Sequence, residues 1–253
     1  MKPVAIVDRT QADEMSDHST ERWNAASGYV VIALGIAGAA FERGSPPLTA
    51  PIEEVVAFWS TYQRELLAQS VMFVLSAGAY LWFFGSLRSV LMRAEGDTGT
   101  LSTIAFGAGT VSVALQMILQ CFQVAVAAAA SGLLERDVVA LFGRLLWALS
   151  VVAYVPMGVM LGAVAAVSFA HRAFPLWLAW FSFVASLAHF VMTFGLVVES
   201  GPLVPGGAMT YVLYAIALLW LIATTTLMVF GVRPRHIQIQ QVGHDEAQSD
   251  RGR

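Results

Sequence analysis

The chain has 253 residues, of which 57% are hydrophobic and only 12% charged, and its mean hydropathy is +0.68. Soluble domains average about 45–50% apolar and about 25% charged residues, so this composition argues against a water-soluble globule and against a disordered chain. A net charge of −3 leaves no basic footprint for nucleic acid, and a single cysteine, Cys121, makes no internal disulfide.

A helix needs about 20 apolar residues to cross a bilayer core of roughly 30 Å. Charge-free stretches at residues 23–41, 66–87, 101–134, 145–170, 173–198 and 200–232 each hold one crossing. None holds two, which would take more than about 40 residues. The expected fold is an all-α integral membrane helical bundle with six transmembrane helices, at about residues 25–41, 66–87, 103–128, 145–170, 175–198 and 209–231. Short amphipathic helices are expected on the outer side, and polar, disordered tails at residues 1–24 and 233–253.

The first stretch is short and glycine-rich (Gly28, Gly35, Gly38). Ala37-Gly38-Ala39 has the look of a cleavage site, but a signal peptide wants a short, positive n-region. Here Asp8, Asp13, Glu14, Asp17 and Glu21 precede it, so a retained membrane helix is expected. In the following loop, Pro51 with Glu53 and Glu54 signals a helix start. Ile52, Val55, Val56, Trp59 and Tyr62 then recur at helical spacing, as an amphipathic helix over the bundle mouth or as a continuation of the second span. A similar element at residues 135–144 precedes the fourth span, through duplication or chance.

Lys and Arg near the spans set the orientation. With the N-terminus inside, ten lie on the inner side, among them Arg22, Arg88, Arg93, Arg172 and Arg233, against Arg43, Arg64, Arg136 and Arg144 outside. Both termini are therefore expected in the cytoplasm.

Helices in lipid associate through small residues and scattered polar contacts. The third span carries Ser102, Ala105, Gly109, Ser112, Gln116, Gln120 and Gln123 at steps of three or four, and the fifth carries Ser182, Ala185, Ser186, His189 and Thr193. His189 is the only ionisable side chain deep in an expected span, which makes it a functional-site hypothesis. Gln116, Gln120, Gln123, Ser186 and His189 together form the candidate polar intramembrane site. They either line a groove or fix packing by hydrogen bonds between helices. Gly158 and Gly162 read as a packing face in the fourth span, where Pro156 removes the bond to Val152 and kinks the helix.

No GxxxxGK[ST] loop, HExxH pair or GxSxG elbow occurs, so no catalytic residue, metal ligand or cofactor is expected.

Several short motifs carry a resemblance: Gly44-Ser45-Pro46-Pro47-Leu48, Ala50-Pro51-Ile52-Glu53-Glu54, Trp82-Phe83-Phe84-Gly85-Ser86-Leu87-Arg88 and Arg93-Ala94-Glu95-Gly96. Phe174-Pro175-Leu176-Trp177-Leu178-Ala179-Trp180 and Gly201-Pro202-Leu203-Val204-Pro205-Gly206-Gly207 continue it. On these the chain resembles a group of uncharacterised bacterial polytopic membrane proteins of about six helices and unknown function. The resemblance implies that architecture and a bacterial plasma membrane, and it supplies no site residues.

The expected function is that of a non-enzymatic accessory subunit of a transport or envelope assembly. Its partners would be the lipid bilayer and other membrane subunits. The alternative is a small secondary transporter or permease for an amphiphilic or lipid-like substrate, with its site between the third and fifth spans.

Overall fold

The computed structural model describes residues 22–44, 46, 50–96, 99–129, 136–198, 201–204 and 206–231. The expected tails lie outside these residues apart from positions 22–24 and the last loop motifs are described only in part. Among the described residues the fold is all-helical, without strands.

Helix α1 runs Ser27–Ala39 and α2 Ile52–Thr61. The long α3, Gln63–Glu95, and α4, Thr100–Ala129, form an antiparallel pair. Next come α5, Arg136–Val152, and α6, Tyr154–His171. Helix α7, Leu176–Met192, ends in a 3-10 turn at Thr193–Leu196. Helix α8, Ala208–Thr226, ends in a π-helical turn at Leu227–Gly231. Five stretches are long and apolar enough to cross a membrane: Gln63–Glu95, Thr100–Ala128, Leu141–His171, Leu176–Leu196 and Ala208–Gly231. Helix α1, with 13 residues, is shorter than these.

The helices close into a ring. α1 packs on α3, α3 on α4, α4 on α6, α6 on α7, α7 on α8, and α8 returns to α1, while α3 and α6 meet across the interior. Short links make consecutive helices antiparallel neighbours. The tightest link turns at Arg172, in left-handed conformation (φ 58°), before Pro175 opens α7. The ring therefore has two ends. Glu42, Arg43, Glu53, Glu54, Arg64 and Glu65 mark an acidic end, and Arg22, Arg88, Arg93 and Arg172 a basic one.

Glycines set the closest approaches. A Cβ on Gly38 would stand 2.6 Å from Phe73 Cε1, one on Gly109 2.9 Å from the Phe84 ring, and one on Gly158 3.2 Å from Phe190 Cζ. The basic half of the interior is filled by Phe83, Phe84, Leu87, Leu91, Met160, Leu161, Val164, Leu178 and Leu221, all nearly inaccessible. Phe83 meets Trp220 edge-on, with ring centroids 6.4 Å apart.

Helix α2 is a separate element, divided from α3 at Tyr62, and not a simple continuation of it. It lies over the acidic ends of α3 and α4. There Trp59 is buried with Leu66, Val126, Ala127 and Val139, the last from α5. The two amphipathic elements thus meet each other and the bundle through Trp59 and Val139, while Leu141 stays exposed. The fourth expected span is interrupted at Ala153, between α5 and α6. That break adjoins Val152, whose carbonyl Pro156 leaves without its helical donor.

Candidate functional site

Of the glutamines of α4, Gln123 bonds to α3. Gln123 Nε2 donates to Gln69 Oε1 at 2.9 Å and to the Leu66 carbonyl at 3.1 Å. Gln69, only 2% exposed, in turn donates from Nε2 to Glu42 Oε2 at 2.9 Å. One turn towards the acidic end, Gln63 Nε2 donates to the Ala127 carbonyl at 2.9 Å. The segment just after α1, α3 and α4 are therefore joined by one chain of side-chain hydrogen bonds, with the Glu42 carboxylate as its terminal acceptor. An amide suits such a chain because it donates and accepts at once.

Gln120 is buried, and its Oε1 has no partner among the described residues. The hydroxyl of Ser70 is likewise buried and unpartnered. The pairings of Leu66 with Gln123 and of Gln63 with Ala127 fix an antiparallel register that puts Ser70 level with Gln120. Gln116, one turn further in, is exposed.

Ser186 and His189 belong to a different seam, between α7 and α6. Ser186 Oγ donates to the Gly158 carbonyl at 2.7 Å, a contact open because Gly158 and Gly162 present no side chain there. Beside it, His189 is 3% exposed. Its Nδ1 lies 2.7 Å from the Ala185 carbonyl of its own helix, and its ring meets Tyr154 edge-on at 6.0 Å. One turn back, Ser182 accepts from the Trp220 indole at 2.8 Å while donating to the Leu178 carbonyl, also at 2.8 Å.

The five expected site residues are thus not brought together: Gln123 lies at the α3–α4 seam, Ser186 and His189 lie at the α6–α7 seam, Gln120 is buried without a partner for its Oε1 among the described residues, and Gln116 is exposed. Gln123 is tied to α3, Ser186 to α6, and His189 to its own backbone. Sequence reading missed the partners: Gln69 and Glu42 for the glutamine stripe, and Tyr154 for the histidine. A signal was available in Gln69-Ser70, a polar pair at the start of an otherwise apolar stretch, facing the α4 glutamines once the helices are taken as antiparallel. No group of three or more His, Cys, Asp or Glu able to hold a metal ion occurs among the described residues.

Comparison with family models, with curated proteins and with solved structures finds no match for this chain.

Proposed function

We propose that the chain is a six-span integral protein of a bacterial plasma membrane, with both termini in the cytoplasm, that acts as a non-enzymatic accessory subunit of a transport or envelope assembly. The observation that carries the membrane reading is the outer face of the ring. Leu75, Val111, Val184 and Leu219 are each more than half exposed, on four different helices, while Gln69, Ser182, Ser186 and His189 turn inward. Water would penalise that arrangement and lipid favours it. The basic end then faces the cytoplasm.

Helix α1 supplies the sixth span. Positions 22–25 are helical, and Ala26 keeps right-handed helical torsions (φ −64°, ψ −15°). The path continues to Ala40, whose N–H donates to the Ile36 carbonyl.

The accessory reading draws support from how the buried polar groups are used. Gln69, Ser76, Ser182 and Ser186 are committed to neighbouring helices, which builds a rigid bundle more than a reaction site. Extraction in mild detergent should recover the protein within a larger membrane complex. A stable isolated species under the same conditions counts against that role.

One observation favours the transporter reading. The unpartnered Gln120 Oε1 and Ser70 hydroxyl, with Gln116 exposed nearby, leave hydrogen-bonding capacity unused between α3 and α4. If that capacity serves a substrate, Gln120→Leu abolishes uptake of a labelled amphiphile into proteoliposomes without lowering stability. Unchanged uptake removes the reading.

A further inference from the structure

A cavity of about 240 Å³ opens on the surface at the basic end, lined by Asn24, Leu81, Trp82, Gly85, Ser86 and Ser89. At roughly 30 Å³ per water it has room for about eight, too much for one bridging solvent molecule and less than a drug-sized pocket of about 300 Å³ or more. Gly85 opens onto it: a Cβ there would meet nothing within 4 Å.

The lining has a definite hydrogen-bonding polarity. Asn24 Oδ1 accepts from the Trp82 indole at 3.1 Å, which orients the amide and leaves both hydrogens of its Nδ2 without a partner among the described residues. Ser86 donates its hydroxyl hydrogen to the Trp82 carbonyl at 3.3 Å, and Ser89 donates to the Gly85 carbonyl at 3.2 Å. Each hydroxyl therefore offers only lone pairs to a ligand. One wall of the cavity donates and the other accepts.

The position is equally specific. Arg88, in the same turns of α3, lies over the Phe106 ring at 5.9 Å, and none of the described residues lining the cavity is charged. Trp82, 64% exposed, flanks the opening as tryptophans do at the boundary between hydrocarbon and headgroups.

We propose that this cavity binds the headgroup of a zwitterionic phospholipid bearing a primary ammonium, of the phosphoethanolamine type. The Asn24 amide donates to a phosphate oxygen, the Ser86 and Ser89 hydroxyls accept from the ammonium, and the acyl chains run along Leu81 and the apolar face of α3. This inference rests on the membrane reading above. A choline headgroup, whose quaternary nitrogen has no N–H, lacks the donor the serines need, and a glycerol headgroup offers only neutral hydroxyl donors, weaker than the charge-assisted ones of an ammonium.

The test is native mass spectrometry of the full chain, delipidated in detergent and then offered equimolar phosphatidylethanolamine, phosphatidylcholine and phosphatidylglycerol. Free phosphoethanolamine is tested in a separate arm. The expected result is one retained phosphatidylethanolamine per chain, about tenfold favoured over phosphatidylcholine, as loss of charge-assisted hydrogen bonds predicts. Free phosphoethanolamine should not compete at equal concentration. Gly85→Leu should abolish the preference by filling the cavity, whereas Gly107→Leu, at another glycine with open space beyond it, should keep it. Should Gly85→Leu fail to fold, Asn24→Leu removes the donors instead and should also erase the preference. Equal retention of the three lipids, or a preference that survives both variants, overturns the proposal. Retention of free phosphoethanolamine as strong as that of the lipid overturns it as a lipid site. If the chain proves soluble without detergent and retains no lipid, the membrane reading fails together with it.

Discussion

Gln123 and Gln69 share a hydrogen bond of 2.9 Å across the α3–α4 seam, and the arrangement leaves each amide a second role. Gln123 also donates to Leu66, and Gln69 also donates to Glu42. The pair therefore links the α3–α4 hairpin to the end of α1, a join that no apolar side chain could make with the same directionality. Interhelical hydrogen bonds in membrane bundles contribute about 0.6 kcal/mol on average and about 1.7 kcal/mol at most. A double-mutant cycle with Gln69→Leu and Gln123→Leu, read by unfolding in detergent, should give a coupling energy within that range. A coupling indistinguishable from zero would mean that the two amides act independently.

Glu95 makes a second join of this kind, at the basic end. Its carboxylate accepts from Leu101 N at 2.8 Å, from Ser102 N at 2.9 Å and from Ser102 Oγ at 2.8 Å. The last residue of α3 thereby satisfies first-turn donors of α4 across the link, and its negative charge sits where the helix dipole favours it. Glu95→Ala should destabilise the protein by about 1–2 kcal/mol, the usual cost of losing a helix cap. Glu95→Gln should recover part of this. Equal stability of all three proteins in thermal unfolding would discard the cap.

Two glycines on α4 should respond oppositely to the same change. A Cβ on Gly109 falls 2.9 Å from the ring of Phe84, which is itself buried in the core, whereas one on Gly107 meets nothing. Gly109→Ala should cost about 1–3 kcal/mol through overpacking. Gly107→Ala should gain up to about 1 kcal/mol from the lost backbone freedom of the unfolded chain. Similar shifts for both variants in thermal unfolding would show that helix propensity, and not the approach of α3, governs Gly109.

Much of this was legible in the sequence, and the reasons differ by element. The five helices long and apolar enough to cross a membrane follow from charge spacing, because a charge inside a span is costly enough to punctuate the chain at bilayer-length intervals. The break near Pro156 and the Gly158–Gly162 face against α7 follow from local stereochemistry. The site did not follow. Periodicity puts Gln116, Gln120 and Gln123 on one face of α4, but the identity of the facing helix depends on ring order, which residue spacing does not encode. Gln123 met α3 while Ser186 met α6, so residues that looked like halves of one site belong to separate seams. The amphipathic elements taught a similar lesson. Their periodicity shows that one face is covered, yet not that the covering surface is their own bundle, as the burial of Trp59 against Val139 reveals.

Helix α1 carries the sharpest test of the topology. Twenty residues from Arg22 to Phe41 at 1.5 Å each span about 30 Å, the thickness of the hydrocarbon core, so the first span crosses only if α1 is prolonged by the helical residues 22–25 before it and by Ala40 and Phe41 after it. Its glycines hold it against the ring, with Gly28 against Thr225 on α8 and Gly38 against Phe73 on α3, and Tyr29 Oη pairs with Thr226 Oγ1 at 3.1 Å. A helix pressed along α3 and α8 over this length should share their membrane depth. In a Cys121→Ser background, Arg43→Cys and Glu54→Cys should react with a membrane-impermeant maleimide on intact cells. Arg22→Cys and Arg93→Cys should react only after permeabilisation. Labelling of Arg22→Cys and Arg43→Cys from the same side would reduce the protein to five crossings and place its termini on opposite faces of the membrane.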